Sequence, residues 1–370
     1  MYELPDLRYQ TEIRKKEDLI SHLEHFRLEP KFSVGIWYFS PGGGRFHERY
    51  IPEKTIEERI DSAYTLAEYG VKGIEAHYPT EINWDNIDLY KDLEEDTGIK
   101  VIGIPFSHFY EKEFEFGSLS NPYESVRTKA IEIGVECLKL VEEIGANCAI
   151  SWPGMDGYLY ELGTIFPWMW SNYDRSMVEI LDEVPGIRVA IEPKPYEPAY
   201  NNIFRTTAEG ILTAQRIQAH LKNKKNIDLL NKGHQLVGLN PEIGHVRMGF
   251  ENCGAAYSLV GMYGMLAHTH WNSQPLGNYD QDLNVGVVEP SQATALLYSL
   301  KMMGYKEYFG IDINPEKMPF EKAIEINIKV INALNEKIEN LPHSEIVHAY
   351  LDPANHRGKL EEILLEYIIS

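Results

Sequence analysis

The segment IRVAIEPKP (residues 187–195) is a short apolar run that ends in a glutamate and a lysine. A helical pattern near residues 169–184 precedes it, and the amphipathic pattern TAEGILTAQRIQAHL (207–221) follows. A short apolar strand between two helices is typical of a parallel α/β sheet. The segment therefore predicts one strand–helix unit of such a sheet.

Seven further strand patterns alternate with helical patterns along the chain. They lie at residues 32–39, 71–77, 100–106, 147–152, 234–240, 264–271 and 308–314. Eight units in one chain favour closure into a (β/α)8 TIM barrel over an open, doubly wound sheet. The Gly-rich segment PGGGRFHE (41–48) lacks the spacing of a phosphate-binding loop, and we interpret it as a flexible loop after the first strand. We predict a catalytic barrel over residues 1–315 and a short C-terminal helical extension over 316–370.

Composition excludes several classes of protein. The 370 residues carry 56 acidic and 35 basic side chains, a formal net charge of −21, which argues against a partner that is nucleic acid or an anionic membrane. Three cysteines are too few for a disulfide framework or a Cys-rich zinc site. The sequence shows no apolar signal-peptide core and no run of eighteen apolar residues, so we expect a cytoplasmic protein without a membrane span.

Ionisable residues cluster where the predicted strands end. They are His77, Glu192, Lys194, Glu242, His245, His268, His270, Asp280, Asp282 and Asp312. Barrel enzymes place their active sites at this end of the strands, and carboxylates so dense need a cation or a proton among them. Oxygen ligands with one or two imidazoles suit Mg²⁺, Mn²⁺ or Co²⁺. Each residue alone has an ordinary explanation, such as turn chemistry for Asp280 and Asp282, and we expect His268 to face away from His270 in a structural role.

Several of these segments resemble motifs of the xylose isomerase family. The resemblance is carried by AIEPKPYEP (190–198) and GLNPEIGHVRM (238–248), with support from LAHTHWNSQ (266–274) and NYDQDLNVG (278–286). The matching segments extend in order from about residue 33 to residue 315. The resemblance implies a metal-dependent sugar enzyme on a TIM barrel.

The resemblance also implies a role for each matching residue. Glu192, Glu242, His270 and Asp312 would hold a first divalent ion, and Glu242, His245, Asp280 and Asp282 a second. Lys194, His77 and Asp282 would be catalytic, with Lys194 beside the carbonyl oxygen of the sugar and His77 near its ring oxygen. Trp37, His108, Trp152 and Trp271 would contact the substrate.

Two positions depart from the family pattern. Residue 270 is His where xylose isomerases have Asp, although the related L-rhamnose isomerases use a His at a comparable site. Residue 80 is Thr where the family has an Asp that orients the active-site histidine. These departures predict an altered substrate preference, with D-xylose a poor substrate.

The sequence thus favours an aldose–ketose isomerase that acts on a free monosaccharide by metal-assisted hydride shift and uses two divalent ions per chain. A single-metal sugar epimerase and a carbohydrate-conjugate lyase remain open as alternatives on the same barrel. A non-catalytic carbohydrate-binding barrel is a third alternative, against which the full set of candidate ligands argues. We also expect a homo-oligomer, either a dimer or a tetramer.

Overall fold

Eight parallel strands form the centre of the molecule in a computed structural model that describes residues 2–42, 48–315 and 317–369. The interpretation of the Gly-rich loop falls largely on residues 43–47, which lie outside the described residues. The strands are β1 Lys31–Gly35, β2 Val71–Glu75, β3 Lys100–Pro105, β4 Cys148–Ser151, β5 Val189–Ile191, β6 Val237–Leu239, β7 His270–Trp271 and β8 Tyr308–Ile311. Their order in the sheet is β6-β5-β4-β3-β2-β1-β8-β7, and every neighbouring pair is parallel.

Backbone bonds between β6 and the segment before β7 close the sheet into a barrel. Leu239 forms a parallel bridge with Leu266. The Leu239 amide donates to Met265 O over 2.7 Å, and the Ala267 amide donates to Leu239 O over 2.9 Å. The predicted (β/α)8 TIM barrel is therefore confirmed.

Thirteen α-helices in the described residues surround the barrel or connect its strands. They are α1 Lys16–His25, α2 Ile56–Tyr64, α3 Ile87–Thr97, α4 Glu124–Ile144, α5 Phe166–Glu183, α6 Thr207–Gln218, α7 Lys224–Asn231, α8 Ile243–Met248, α9 Cys253–Met262, α10 Pro290–Met303, α11 Phe320–Glu339, α12 His343–Leu351 and α13 Lys359–Ile369. A two-stranded ribbon pairs Gly157–Tyr158 with Asn201–Asn202. Within the described part of the chain, no helix combines the length and the apolar character needed to cross a membrane.

Local signals in the sequence explain where these helices start and stop. Thr55 and Glu58 form a reciprocal capping box at the start of α2, which satisfies two backbone donors. At the end of α4, Gly145 has φ 74°, a left-handed conformation that glycine adopts without steric cost. Because such caps fix where each helix ends, they also fix where the next strand begins.

The N-terminal segment seals the barrel at the end opposite the strand C-termini. Leu7 packs inside the barrel in a small apolar cluster with Cys148, Ile150, Ala190 and Ala267. The side-chain amide of Gln10 donates to Leu266 O over 2.8 Å, and its oxygen accepts from the Leu266 amide over 3.1 Å. The open end of the barrel is therefore the one formed by the C-terminal ends of the strands.

The last strand–helix unit extends past the domain boundary predicted at residue 315. Helix α11 follows β8 and buries Ala323, Ile324 and Ile331 in the main apolar core. The division at 315/316 thus separates β8 from the helix that packs behind it. Of the predicted extension, α12 and α13 follow this final unit.

Candidate active site

Carboxylates and imidazoles project from the ends of β5 to β8 into one cavity. Glu192 and Lys194 follow β5, and both line this cavity because residues two apart on an extended chain share a face. His270 lies in β7, and Asp312 directly follows β8. The cavity has a volume of about 300 Å³, at the lower end of the range for small-molecule sites.

Four residues form a first group of candidate metal ligands. Glu192, Glu242, His270 and Asp312 each offer one ligand atom within 4.8 Å of the others. His270 Nδ1 lies 2.9 Å from Asp312 Oδ2, 3.3 Å from Glu192 Oε2 and 3.9 Å from Glu242 Oε2. The structure thus brings together the four residues assigned to the first ion by resemblance.

A second group shares Glu242 with the first and adds His245 and Asp280. His245 Nε2 lies 3.4 Å from Glu242 Oε2 and 3.3 Å from Asp280 Oδ2. Among the described residues Asp282 belongs to neither group. Its Oδ1 accepts from Asn272 Nδ2 over 3.1 Å, and the same amide donates to Glu242 Oε1 over 2.7 Å.

A helix start positions the residues of this second group. Glu242 immediately precedes α8, and His245 lies in the first turn of that helix. The Gly244 amide donates to Asn272 Oδ1 over 2.8 Å, and a Cβ at this glycine would lie 2.8 Å from Glu242 Oε1. The spacing Glu-Ile-Gly-His therefore places both ligands on one side of the turn and leaves room for Asn272 against Glu242.

The charge balance of the site fits a cation. Burial raises the pKa of Glu242 well above its usual value, and the nearby charges of Asp312, Asp280 and Asp282 raise it further. The pKa of Asp282 is also raised, by burial and then by Asp280 and Asp312. His245 Nδ1, His270 Nδ1 and Asp280 Oδ1 are buried without an aligned hydrogen bond to any described residue. Ligand atoms that repel one another or lack a partner are what a divalent ion would satisfy.

Lys194 forms a buried ion pair beside the second group. Its Nζ lies 2.7 Å from Asp280 Oδ2 and 5.3 Å from the centre of the Trp152 ring. Burial alone would lower the pKa of Lys194, but the charge of Asp280 outweighs it and raises the pKa. The contact with Asp280 therefore favours the charged form of Lys194, which faces the cavity.

His77 is held by a carboxylate one residue after the expected position. His77 Nδ1 lies 2.8 Å from Glu81 Oε2, which also accepts from the His77 amide over 2.9 Å. Glu81 Oε1 in turn accepts from Arg59 over 2.9 Å. Thr80 instead pairs with Ser107. Sequence reasoning missed Glu81 because the family pattern places the carboxylate at residue 80.

Aromatic rings form one wall of the cavity. Trp37 packs edge-on against His77 with ring centres 4.5 Å apart, and Phe109 packs against Trp152 at 4.7 Å. All four residues line the cavity. Phe109 was not singled out from the sequence, although it lies in the loop after β3.

Two predicted substrate contacts lie outside this wall. Trp271 is fully buried, stacks on Phe309 at 5.0 Å and donates its indole N–H to Thr269. His108 is buried between Phe106 and Phe114, and burial lowers its pKa to about 4. The structure thus corrects both assignments, because neither ring lines the cavity.

Glu75 is a further buried residue that the sequence did not indicate. Its two oxygens contact His268 Nε2 at 3.0 Å and His270 Nε2 at 2.9 Å. The expectation that His268 faces away from His270 is wrong, because residues two apart on a strand point the same way. Glu75, at the end of β2, contacts both imidazoles.

Comparison with known proteins agrees with the barrel fold. The family model described as "Xylose isomerase-like TIM barrel" matches residues 63–334. A xylose isomerase from Thermus thermophilus is 27% identical over 294 residues, which cover 75% of this chain and 71% of that protein.

Two solved structures share the fold at lower identity. A D-tagatose 3-epimerase-like protein superposes with a TM-score of 0.59 at 18% identity. The match covers 83% of this chain and 99% of that protein. A xylose isomerase domain protein from Alicyclobacillus acidocaldarius superposes with a TM-score of 0.58 at 12% identity. The match covers 84% of this chain and 99% of that protein. Because the family model spans well over half of the sequence, the chain belongs to the xylose isomerase-like TIM barrel family.

Proposed function

We propose that this protein is a divalent-metal-dependent aldose–ketose isomerase that acts on a free monosaccharide by hydride shift. The observation that carries the proposal is the pair of ligand groups joined at Glu242, with Lys194 at their edge. The xylose isomerase among its relatives supports the same reaction class.

The proposed ligands are Glu192, Glu242, His270 and Asp312 for one ion, and Glu242, His245 and Asp280 for the other, with Asp282 beside them. When bound, Mg²⁺, Mn²⁺ or Co²⁺ would supply Lewis-acid polarisation and lower the pKa of a nearby hydroxyl. The protein residues do the remaining work. Lys194 donates a charged hydrogen bond to the oxygen on which negative charge develops.

His77 and the aromatic wall prepare the sugar. Glu81 accepts from Nδ1 of His77, so Nε2 carries a lone pair that can accept from a sugar hydroxyl. Trp37, Phe109 and Trp152 exclude water from one side and offer flat faces to the C–H surface of the sugar. This division into a polar and an apolar side fits a polyol chain.

A sugar epimerase is the second candidate, and the Lys194–Asp280 ion pair favours it. If Asp280 stays paired with Lys194 and Asp282 does not bind an ion, one metal site remains, and carboxylates would carry the proton transfer. A carbohydrate-conjugate lyase is a weaker alternative, because the cavity of about 300 Å³ suits a single sugar unit. The cytoplasmic location and the homo-oligomer stay predictions from the sequence.

The test is a screen of aldoses and ketoses with Mg²⁺, Mn²⁺ and Co²⁺ added to chelator-treated protein. An aldose deuterated at C2 separates the two reactions. A hydride shift moves the label to C1 of a ketose, whereas epimerisation at C2 by proton transfer exchanges the label with water and leaves an aldose. Glu192→Gln should abolish turnover, and the exposed Glu361→Gln on α13 is the matched control. Full activity in excess chelator after dialysis would exclude both candidates.

A further inference from the structure

A fully buried cluster of three residues, Glu75, His268 and His270, lies directly beneath the first ligand group. Glu75 Oε1 contacts His268 Nε2 at 3.0 Å, and Glu75 Oε2 contacts His270 Nε2 at 2.9 Å. Ser33 also donates its hydroxyl to Glu75 Oε1 over 2.8 Å. Each carboxylate oxygen therefore has its own imidazole partner.

This contact decides which nitrogen of His270 carries the proton. An ionised carboxylate only accepts hydrogen bonds, so the ring nitrogen that faces Glu75 must be an N–H. Both oxygens of Glu75 face groups that can donate, namely the Ser33 hydroxyl and the two imidazoles, so the carboxylate accepts on both sides. A metal-ligating imidazole must be neutral, and with its one proton on Nε2 the lone pair of His270 is on Nδ1.

Nδ1 is the nitrogen that faces the ligand group. It lies 2.9 Å from Asp312 Oδ2 and 3.3 Å from Glu192 Oε2. It is buried and makes no aligned hydrogen bond with the described residues. The two nitrogens of His270 thus face opposite surroundings, a carboxylate on one side and the candidate metal pocket on the other.

The backbone leaves these side chains little freedom to turn. A Cβ added at Gly310 on β8 would lie 2.6 Å from His268 Nε2, 2.8 Å from His270 Cδ2 and 2.9 Å from Glu75 Oε1. A side chain at residue 310 would therefore displace the cluster. The absence of a Cβ at residue 310 lets the two imidazoles and Glu75 pack in this one arrangement.

We propose that Glu75 is a positioning residue that holds His270 in its Nε2–H form and so presents Nδ1 to the first metal ion. The inference rests on the metal-dependent part of the proposed function. An aspartate at residue 270 would place a negative charge next to the metal ion. With His270 there instead, the negative charge of Glu75 lies on the far side of the imidazole ring. A carboxylate behind a ligating imidazole fixes the ring and makes it a stronger donor.

The test is a double-mutant cycle between residues 75 and 270, measured as Mn²⁺ affinity by calorimetry. Glu75→Gln replaces one acceptor oxygen with an NH2 group, so it should weaken the first Mn²⁺ site about 10- to 100-fold. In the His270→Asp background there is no imidazole to orient, and Glu75→Gln should change the affinity less than about 3-fold. The exposed Glu68→Gln, just before β2, is the matched control. An equal loss in both backgrounds, or no loss in either, would overturn the proposal.

A second measurement needs no substitution and covers the case in which Glu75→Gln does not fold. Long-range ¹H–¹⁵N spectra of the Mg²⁺-loaded wild-type protein report the tautomer of each histidine. We expect His270 to carry its single N–H on Nε2, and an N–H on Nδ1 would overturn the proposal. Failure of the wild-type protein to bind Mn²⁺ would instead refute the proposed metal-dependent function.

Discussion

Glu81 Oε2 holds His77 at two points, accepting from Nδ1 over 2.8 Å and from the backbone amide over 2.9 Å. Arg59 contacts the other oxygen of Glu81, so the carboxylate is fixed on both sides. The carboxylate expected at residue 80 is thus supplied one position later. The orientation of His77 by a carboxylate does not depend on Thr80.

We predict that Glu81→Ala lowers kcat on the most active sugar by about 10- to 100-fold, because His77 loses the acceptor that orients it. Mn²⁺ affinity should stay within about 2-fold, since Glu81 belongs to neither ligand group. Steady-state kinetics measures kcat, and calorimetry measures the Mn²⁺ affinity. The exposed Glu94→Gln on α3 is the control. If kcat is unchanged, the orientation of His77 by Glu81 does not contribute to catalysis.

Lys194→Met should lower turnover by roughly 100- to 1000-fold, the usual loss when a donor to a developing oxyanion is removed. Metal occupancy should fall far less, because Asp280 keeps its contact with His245. Lys329→Met on α11 is the matched control, since Lys329 is 70% exposed and pairs with Glu325. A variant that turns over like the wild type would place Lys194 outside the reaction centre.

Glu242→Gln should damage both metal sites, because Glu242 is the residue shared by the two ligand groups. An amide offers one weak oxygen donor and an NH2 group that does not bind metal. Asp312→Asn should weaken the first site alone. Counting Mn²⁺ ions per chain by calorimetry distinguishes the variants, and two wild-type sites in Glu242→Gln would contradict the bridge and favour the single-metal epimerase.

Substitutions of Trp152 and Trp271 should affect different properties, substrate binding for Trp152 and folding stability for Trp271. Trp271→Ala should cost about 3–5 kcal/mol of unfolding free energy, as is usual for a fully buried aromatic side chain. Trp152→Ala should instead raise KM with a smaller effect on stability, because this ring faces the cavity. Urea unfolding and sugar kinetics of both variants check the contrast, and similar profiles would refute it.

Metal-free protein should lose stability as the pH rises above the usual pKa values of the site groups whose pKa is raised in the folded state. The pKa values of Glu242 and Asp282 are raised above their usual 4.5 and 3.8, and that of His270 is raised above 6.5. Between the usual and the raised pKa of each group, the folded protein keeps a proton that the unfolded chain has lost, and each such proton lowers the unfolding free energy by about 1.4 kcal/mol per pH unit.

The lowered pKa values of Asp280 and Asp312 act in the opposite sense, but below their usual value of 3.8 and so outside this range. Bound Mn²⁺ displaces the protons and should flatten the slope. Thermal unfolding in EDTA and in Mn²⁺ measures the difference. Identical slopes would show that the ligands do not exchange protons for metal.

Hydrophobic patterning was enough to predict the barrel, and the family resemblance implied ligand sets whose residues, apart from Asp282, lie together in the structure. The strand ends were less predictable. Residues 36–39 continue the apolar run of β1 but form a 3-10 helix, which turns Trp37 toward the cavity. A run of apolar residues does not show where the backbone leaves the sheet.

The errors in the site concern side-chain direction. Trp271 adjoins His270, so on a strand its ring points to the opposite face, where it meets Phe309. Glu75 was missed for a different reason. Its partners His268 and His270 lie about 195 residues later in the chain, and no local pattern joins them.

The two hydrogen bonds between Gln10 and Leu266 can form only late in the synthesis of the chain. The two residues are 256 positions apart, so the N-terminal segment leaves the ribosome long before its partner exists. At roughly 5–20 residues per second, the delay is about 13 to 51 s. Until then Gln10 lacks its hydrogen-bond partner and Leu7 lacks its contact with Ala267, so the N-terminal segment can seal the barrel only after most of the chain has been made.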